Sequence, residues 1–82
     1  MKLIYTTHAK QRMMQRRISE KDIQWVLSEP DEVEEYNGEA MATRNGSERI
    51  LKVVYYKVTD DAYRIITVIA QRVRARGRGY EN

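Results

Sequence analysis

The sequence predicts an α+β domain in which two N-terminal helices pack on a four-stranded antiparallel β-meander. Apolar residues recur at helical spacing up to Pro30 and close to every second position after it. Thr6 or Thr7, and then Ser19, stand where two helices need N-caps. Three turn signals, Asn37-Gly38, Asn45-Gly46 and Asp60-Asp61, divide the second half into strands.

The first helix is expected to run from Thr6 or Thr7 through about Arg16, where Ile18 interrupts the pattern. Ser19-Glu-Lys-Asp22 reads as a capping box with Asp in place of Glu or Gln, and it opens a second helix carrying Ile23, Val26 and Leu27. Pro30 ends that helix, because a proline disfavours helical geometry in the residue before it. Strands are expected at about residues 32 to 36, 39 to 44, 48 to 58 and 62 to 71. A two-residue turn at Asp60-Asp61 would pair Val58 with Tyr63 and Val54 with Thr67. That register puts Leu51, Val53, Tyr55, Ile66, Val68 and Ala70 on the face under the helices, with Lys57 and Arg64 at its turn end. The opposite face would then carry Lys52, Val54, Tyr56, Tyr63, Ile65 and Thr67. A one-residue slip would exchange the two sets.

A chain of 82 residues holds one core, so residues 1–75 are expected to form a single domain, with residues 76–82 as a flexible basic tail. With no cysteine and a single histidine, disulfides and thiolate metal sites are excluded, and no metal or other cofactor is expected. No apolar run approaches the length of a bilayer span, so no membrane association is expected. MKLIYTT falls far short of a secretory apolar segment, which makes the cytoplasm the expected location.

The net charge of +3 conceals blocks of opposite sign. Residues 8 to 19 carry +4 with no acid, residues 20 to 39 carry −7, and the segment from Arg72 onward carries +3. Within the first basic block, His8, Arg12 and Arg16 stand four residues apart, which aligns an imidazole and two guanidiniums along one edge of a helix. Such an edge suits a phosphate. No glycine-rich phosphate loop, zinc-protease helix, nucleophile elbow or Cys-His pair is present, so any chemistry rests on His, Arg, Lys, Tyr and Thr. Those residue types fit metal-independent RNA cleavage: histidine moves protons near neutral pH and arginine stabilises charge on phosphorus oxygens.

The combination of THAKQRMMQRRIS, a helix ending at Glu29-Pro30 and a last strand RIITVIA resembles the domain-of-unknown-function 4258 family over residues 4 to 70. His8, Ala9, Arg12 and Arg16 meet that family's first-helix pattern, Ile18 its residue before the second helix, and Thr67 the threonine of its final strand. The resemblance implies a RelE-like fold and an RNA-cleaving or toxin-related activity. It supplies no catalytic role for Lys52, Arg64 or Arg72.

The combined expectation is a RelE-like RNA-binding domain, a candidate metal-independent ribonuclease toxin. His8 would transfer protons, Arg12 and Arg16 would stabilise phosphate charge, and Thr67 would orient substrate. Lys10, Lys52, Arg72, Arg74, Arg76 and Arg78 would hold RNA electrostatically. RNA is the expected ligand, and an antitoxin or another protein the expected partner. The alternative is a noncatalytic protein-interaction module that uses the −7 block. Each site residue also has a structural reading. His8 could hydrogen-bond a nearby backbone group or carboxylate, Arg12 and Arg16 could pair with Asp31, Glu32 and Glu34, Thr67 could be an ordinary strand residue, and Trp25 could pack in the core rather than stack on a base.

Overall fold

The computed structural model describes residues 1–73. The chain runs β1 (Lys2–Tyr5), α1 (Thr7–Arg16), α2 (Glu20–Ser28), β2 (Glu32–Tyr36), β3 (Glu39–Asn45), β4 (Arg49–Thr59) and β5 (Ala62–Arg72). All five strands form one sheet in the order β1-β5-β4-β3-β2. β1 lies parallel to β5, and the other pairs are antiparallel. The architecture is thus α+β with a five-stranded mixed sheet, and the expected four-stranded antiparallel meander is incorrect. The helices also sit between β1 and β2 in the chain rather than ahead of every strand.

The missing strand has a physical cause. β1 is four residues long, too short to display alternation convincingly, yet Leu3 and Tyr5 pack against the core while Lys2 and Ile4 alternate to the other face. Its partners in Ala62–Ile65 lie about sixty positions later in the chain, so no local turn signal announces the pairing.

Thr6 converts β1 into α1. Its N–H donates to the Ile65 carbonyl at 3.1 Å and its hydroxyl to the Ile66 carbonyl at 2.9 Å. The same hydroxyl oxygen accepts from the Ala9 N–H at 3.0 Å, and the Thr6 carbonyl accepts from Lys10 at 3.0 Å. One residue therefore ends a strand, caps a helix and fixes that helix to β5. α1 ends with Arg17 at φ 54°, its N–H turned back to Met14 and that of Ile18 to Met13. This is the double bond of a Schellman ending, with arginine where glycine is the usual choice. Buried Ile18 closes the turn, and α2 begins with the complete capping box of Ser19 and Asp22.

The core lies between the helices and one sheet face. Ala9, Ile18, Ile23 and Val26 meet Ala42, Leu51, Val53, Ile65 and Val68, all buried. Two irregularities in the β4–β5 ladder decide which residues reach it. After the Asp60-Asp61 turn, Thr59 faces Ala62 but Lys57 faces Tyr63, leaving Val58 as an extra residue on β4. Further on, Tyr55 faces Ile65 while Val54 faces Thr67, leaving Ile66 extra on β5. The two insertions cancel, so the expected Val54–Thr67 pair forms although Val58 does not face Tyr63. Between them the register is displaced by one, which brings Tyr63 and Ile65 to the core face in place of Arg64 and Ile66.

Asn37 and Gly38 both take positive φ, 48° and 86°, as the β2–β3 turn demands. The β3–β4 connection is wider than a two-residue Asn-Gly turn, because Asn45 pairs with Ile50. The Gly46 N–H donates to the Arg49 carbonyl at 3.0 Å, and a Cβ on Gly46 would stand 2.8 Å from that oxygen.

Thr6→Val should lower unfolding free energy by about 1–2 kcal/mol, the range for losing a cap and a long-range hydrogen bond, while Thr6→Ser retains most of it; urea denaturation of both variants measures the difference. Tyr5 supplies a pH test. Burial first, and then the charge of Glu20, push its phenol up to about 12 from 10.0. The folded state thus holds the phenolic proton more tightly, and that contribution, complete below pH 10, is lost as pH rises to about 12. Stability measured across this interval should fall less steeply in Tyr5→Phe than in the parent chain, where Tyr55, also raised by burial, contributes in the same direction.

Candidate functional site

α1 lies against β5, and together they form a groove of about 290 Å³ lined by His8, Arg12, Arg16 and residues Thr67 to Ala70. His8, Arg12 and Arg16 advance about 6 Å along the helix at each step, so they flank the groove over roughly 12 Å. His8 and Arg16 are exposed and Arg12 is half-buried. The position of the groove follows from strand lengths. β1 covers β5 only as far as Ile65, and Thr6 then lifts the chain into α1, so β5 continues from Thr67 without a neighbour on that side among the described residues.

The hydrogen-bond pattern shows what this uncovered edge offers. The Val73 N–H donates to Glu48, which brackets the Arg49–Arg72 pair and makes it one of the pairs that exchange no hydrogen bonds. Alternation along the ladder then directs the backbone groups of Val68, Ala70 and Arg72 away from β4, toward the groove side. The site combines cationic side chains on a helix with polar backbone groups on a strand edge. Thr67 lines it too, but faces Val54 across the ladder, so its backbone groups point into the sheet.

The acids of β2 are remote from the stripe. Asp31, Glu32, Glu34 and Glu35 lie on or beside β2, three strand spacings from β5, or roughly 14 Å across the sheet. Among the described residues Arg12 and Arg16 form no ion pair, which removes the expected alternative pairing with Asp31, Glu32 and Glu34. Asp31 instead accepts from the Asn45 N–H at 2.6 Å and pairs with Arg44 at 3.5 Å. Arg44 also lies 4.6 Å from the ring centre of Trp25, so the half-exposed tryptophan is a partner for a guanidinium rather than a core residue.

One residue that positions the stripe carried no sequence signal. Arg49, from β4, donates to the Arg16 carbonyl at 2.5 Å and the Arg17 carbonyl at 2.7 Å, and lies 3.8 Å from Asp22. It satisfies carbonyls that a helix end leaves free and holds the Arg16 end of the stripe in place. Only the tertiary fold brings residues 32 and 33 positions apart into this contact.

The remaining sequence candidates scatter. Lys10 is exposed on α1 and does not line the groove. Lys52 pairs with Thr43 and Ile69 on the sheet face away from the helices. Arg72 is exposed at the end of β5, in line with the groove. Arg74, Arg76 and Arg78 lie outside the described residues. Among the described residues no set of three His, Cys, Asp or Glu side chains is placed to hold a metal ion, and no helix is long and apolar enough to cross a membrane.

A family model described as Domain of unknown function (DUF4258) matches residues 5–70, which include both helices, the groove and nearly all of the sheet. The chain belongs to this family. No curated protein and no solved structure matches it. The matched segment of this DUF4258 domain contains every residue that lines the groove.

Replacing the clamp tests its role. Arg49→Met should keep the sheet-facing stem while removing the two carbonyl bonds, at a cost of about 1–3 kcal/mol. Amide exchange should accelerate in the last turn of α1 more than in the β4–β5 ladder; equal acceleration in both would show that Arg49 acts only on global stability.

Proposed function

We propose that this domain binds the sugar-phosphate backbone of RNA in the groove between α1 and β5, and that His8 makes the groove a site of metal-independent cleavage. The observation that carries the reading is that His8, Arg12 and Arg16 share one open groove free of carboxylates. Guanidiniums are suited to phosphate because they remain charged and present several donors in a planar fork. The N-terminal end of α1 beside His8 adds partial positive charge. Backbone groups on the β5 edge can bond ribose hydroxyls without reading a base, so the mode of binding favours backbone over sequence.

Cleavage at this site would proceed by transesterification assisted by proton transfer. Neutral His8 takes the proton of a ribose 2′-OH, and O2′ attacks the adjacent phosphorus. The P–O5′ bond then breaks as O5′ takes a proton from water or from the imidazolium, leaving a 2′,3′-cyclic phosphate and a 5′-hydroxyl. Arg12 and Arg16 stabilise charge on the phosphoryl oxygens as the bond order at phosphorus changes. The resemblance to RelE-type toxins expected from the sequence motifs favours an RNA substrate only by analogy.

A noncatalytic reading has its own observation. All five residues of β2 are exposed, with Glu32, Glu34 and Glu35 on a sheet edge that a basic protein partner could cover.

The decisive measurement is titration of a mixed-sequence single-stranded RNA in EDTA across several salt concentrations, with analysis of product ends. Arg12→Ala and Arg16→Ala should each weaken binding and reduce the magnitude of the salt slope by about 0.7, the amount expected for one lost phosphate contact. His8→Ala should retain binding and lose cyclic-phosphate products. Folded parent protein that fails to bind, or binds with a slope unchanged in both arginine variants, removes the RNA reading; binding with cleavage unaffected by His8→Ala removes the catalytic one.

A further inference from the structure

Both helices cover the same face of the sheet, and the opposite face carries no layer among the described residues. An antiparallel sheet with one solvated face ordinarily presents polar side chains there. This one does not. Alternation along the strands places Ile4, Met41, Val54, Tyr56 and Ile69 on it, together with the extra residue Ile66. Met41, Val54, Tyr56 and Ile66 are neighbours on β3, β4 and β5 and form an apolar strip of the kind that marks an interface, with Ile4 beyond Arg64 and Ile69 beyond Thr67 at its ends.

The charges around the strip are arranged by sign. Arg64 lies on β5, beside Tyr56 of β4, and Glu39 occupies the same level on β3, one position before the Ala40–Tyr55 pair. Arg64 thus stands one strand to one side of β4 and Glu39 one strand to the other. The Arg64 Nε is shielded from solvent and has no hydrogen-bond partner.

We propose that this face pairs with a second copy of the chain, about a two-fold axis parallel to β4, to give a helix–sheet–sheet–helix dimer. Rotation about that axis lays β5 of one copy over β3 of the other at the same level, so Arg64 meets Glu39 of the second copy twice. Rotation about an axis across the strands would set Arg64 against Arg64. The charge pattern therefore selects the orientation, and self-complementarity selects a second copy over an unrelated partner. Packing two sheets about 10 Å apart buries the apolar strip of each. One like-charged contact opposes it: the two Lys52 side chains approach each other across the axis. His8, Arg12 and Arg16 lie on the helix-covered side, away from this interface, and only the β5 residues Thr67 and Ile69 belong to both the groove lining and the buried face, so the dimer does not rest on RNA binding.

Sedimentation velocity of the full chain, stripped of nucleic acid by nuclease and high salt, tests the proposal across a concentration series. The parent chain should sediment as a dimer that dissociates on dilution. Arg64→Glu and Glu39→Arg should each weaken association at least about tenfold, and the double variant should recover to within about threefold of the parent. Lys52→Met should strengthen association. Val54→Glu should sediment as a monomer with the circular dichroism of the parent, since Val54 faces away from the helix-covered core. A parent chain monomeric at every concentration, or a charge-reversed double variant no better than its single variants, overturns the proposal.

Discussion

Thr6 makes four hydrogen bonds that tie together the N-terminal strand, the first helix and the last strand. Everything that gives the groove its form depends on where this residue sits. Its two bonds to the carbonyls of Ile65 and Ile66 stop β1 one residue short of Thr67 and start α1 beside the strand that β1 has just left. If β1 continued, its backbone would occupy the edge of Val68 and Ala70. If α1 were not pinned, the stripe of His8, Arg12 and Arg16 would have no fixed relation to β5. The cap to Ala9 is a local interaction of ordinary strength, but the residue that makes it also bonds carbonyls about sixty positions away in the chain, and so it sets tertiary geometry.

The second constraint is the separation of charge across the sheet. The acidic stretch from Glu20 to Glu39 is close to the basic helix in sequence, and pairing between them is the natural expectation. The strand order prevents it by carrying β2 to the far edge. Arginines from the later strands meet the acids instead: Arg44 faces Asp31, and Arg49 lies between Asp22 and the carbonyl end of α1. Two arginines thereby do structural work, leaving Arg12 and Arg16 beside the groove. A cationic surface persists only where such compensation occurs elsewhere, because exposed ion pairs are weak but numerous enough to mask one.

Local signals made the two helices, their caps and the positions of four strands legible, since N-caps, the Asn37-Gly38 turn and apolar periodicity act over a few residues. The alignment of His8, Arg12 and Arg16 was legible for the same reason. β1 was not, because a four-residue strand whose partner lies some sixty residues later leaves no periodic trace. The exchange of Ile66 and Arg64 for Ile65 and Tyr63 at the core face was not legible either. It requires two compensating extra residues, Val58 and Ile66, and alternation read from the turn alone cannot detect a pair that cancels. Arg49 is invisible for a related reason: a guanidinium that caps a helix from another element looks in sequence like any surface arginine.

The same compensating bulges give the two faces of the sheet different characters. By turning Tyr63 and Ile65 inward they complete the core beneath α1, and by turning Arg64 outward with Ile66 they place a cation beside an apolar strip. An unbroken ladder would have put Arg64 under the helices, where a guanidinium without a partner is costly, and left Tyr63 exposed. The irregularity therefore resolves a conflict between turn position and side-chain pattern, and it decides which side chains the open sheet face displays. Val54 and Thr67 mark where the displaced register returns to its original phase, and Thr67 begins the uncovered edge of β5. The place where β5 loses its neighbour is thus the place where its ladder recovers, which is why helix, strand edge and open face converge on so few residues.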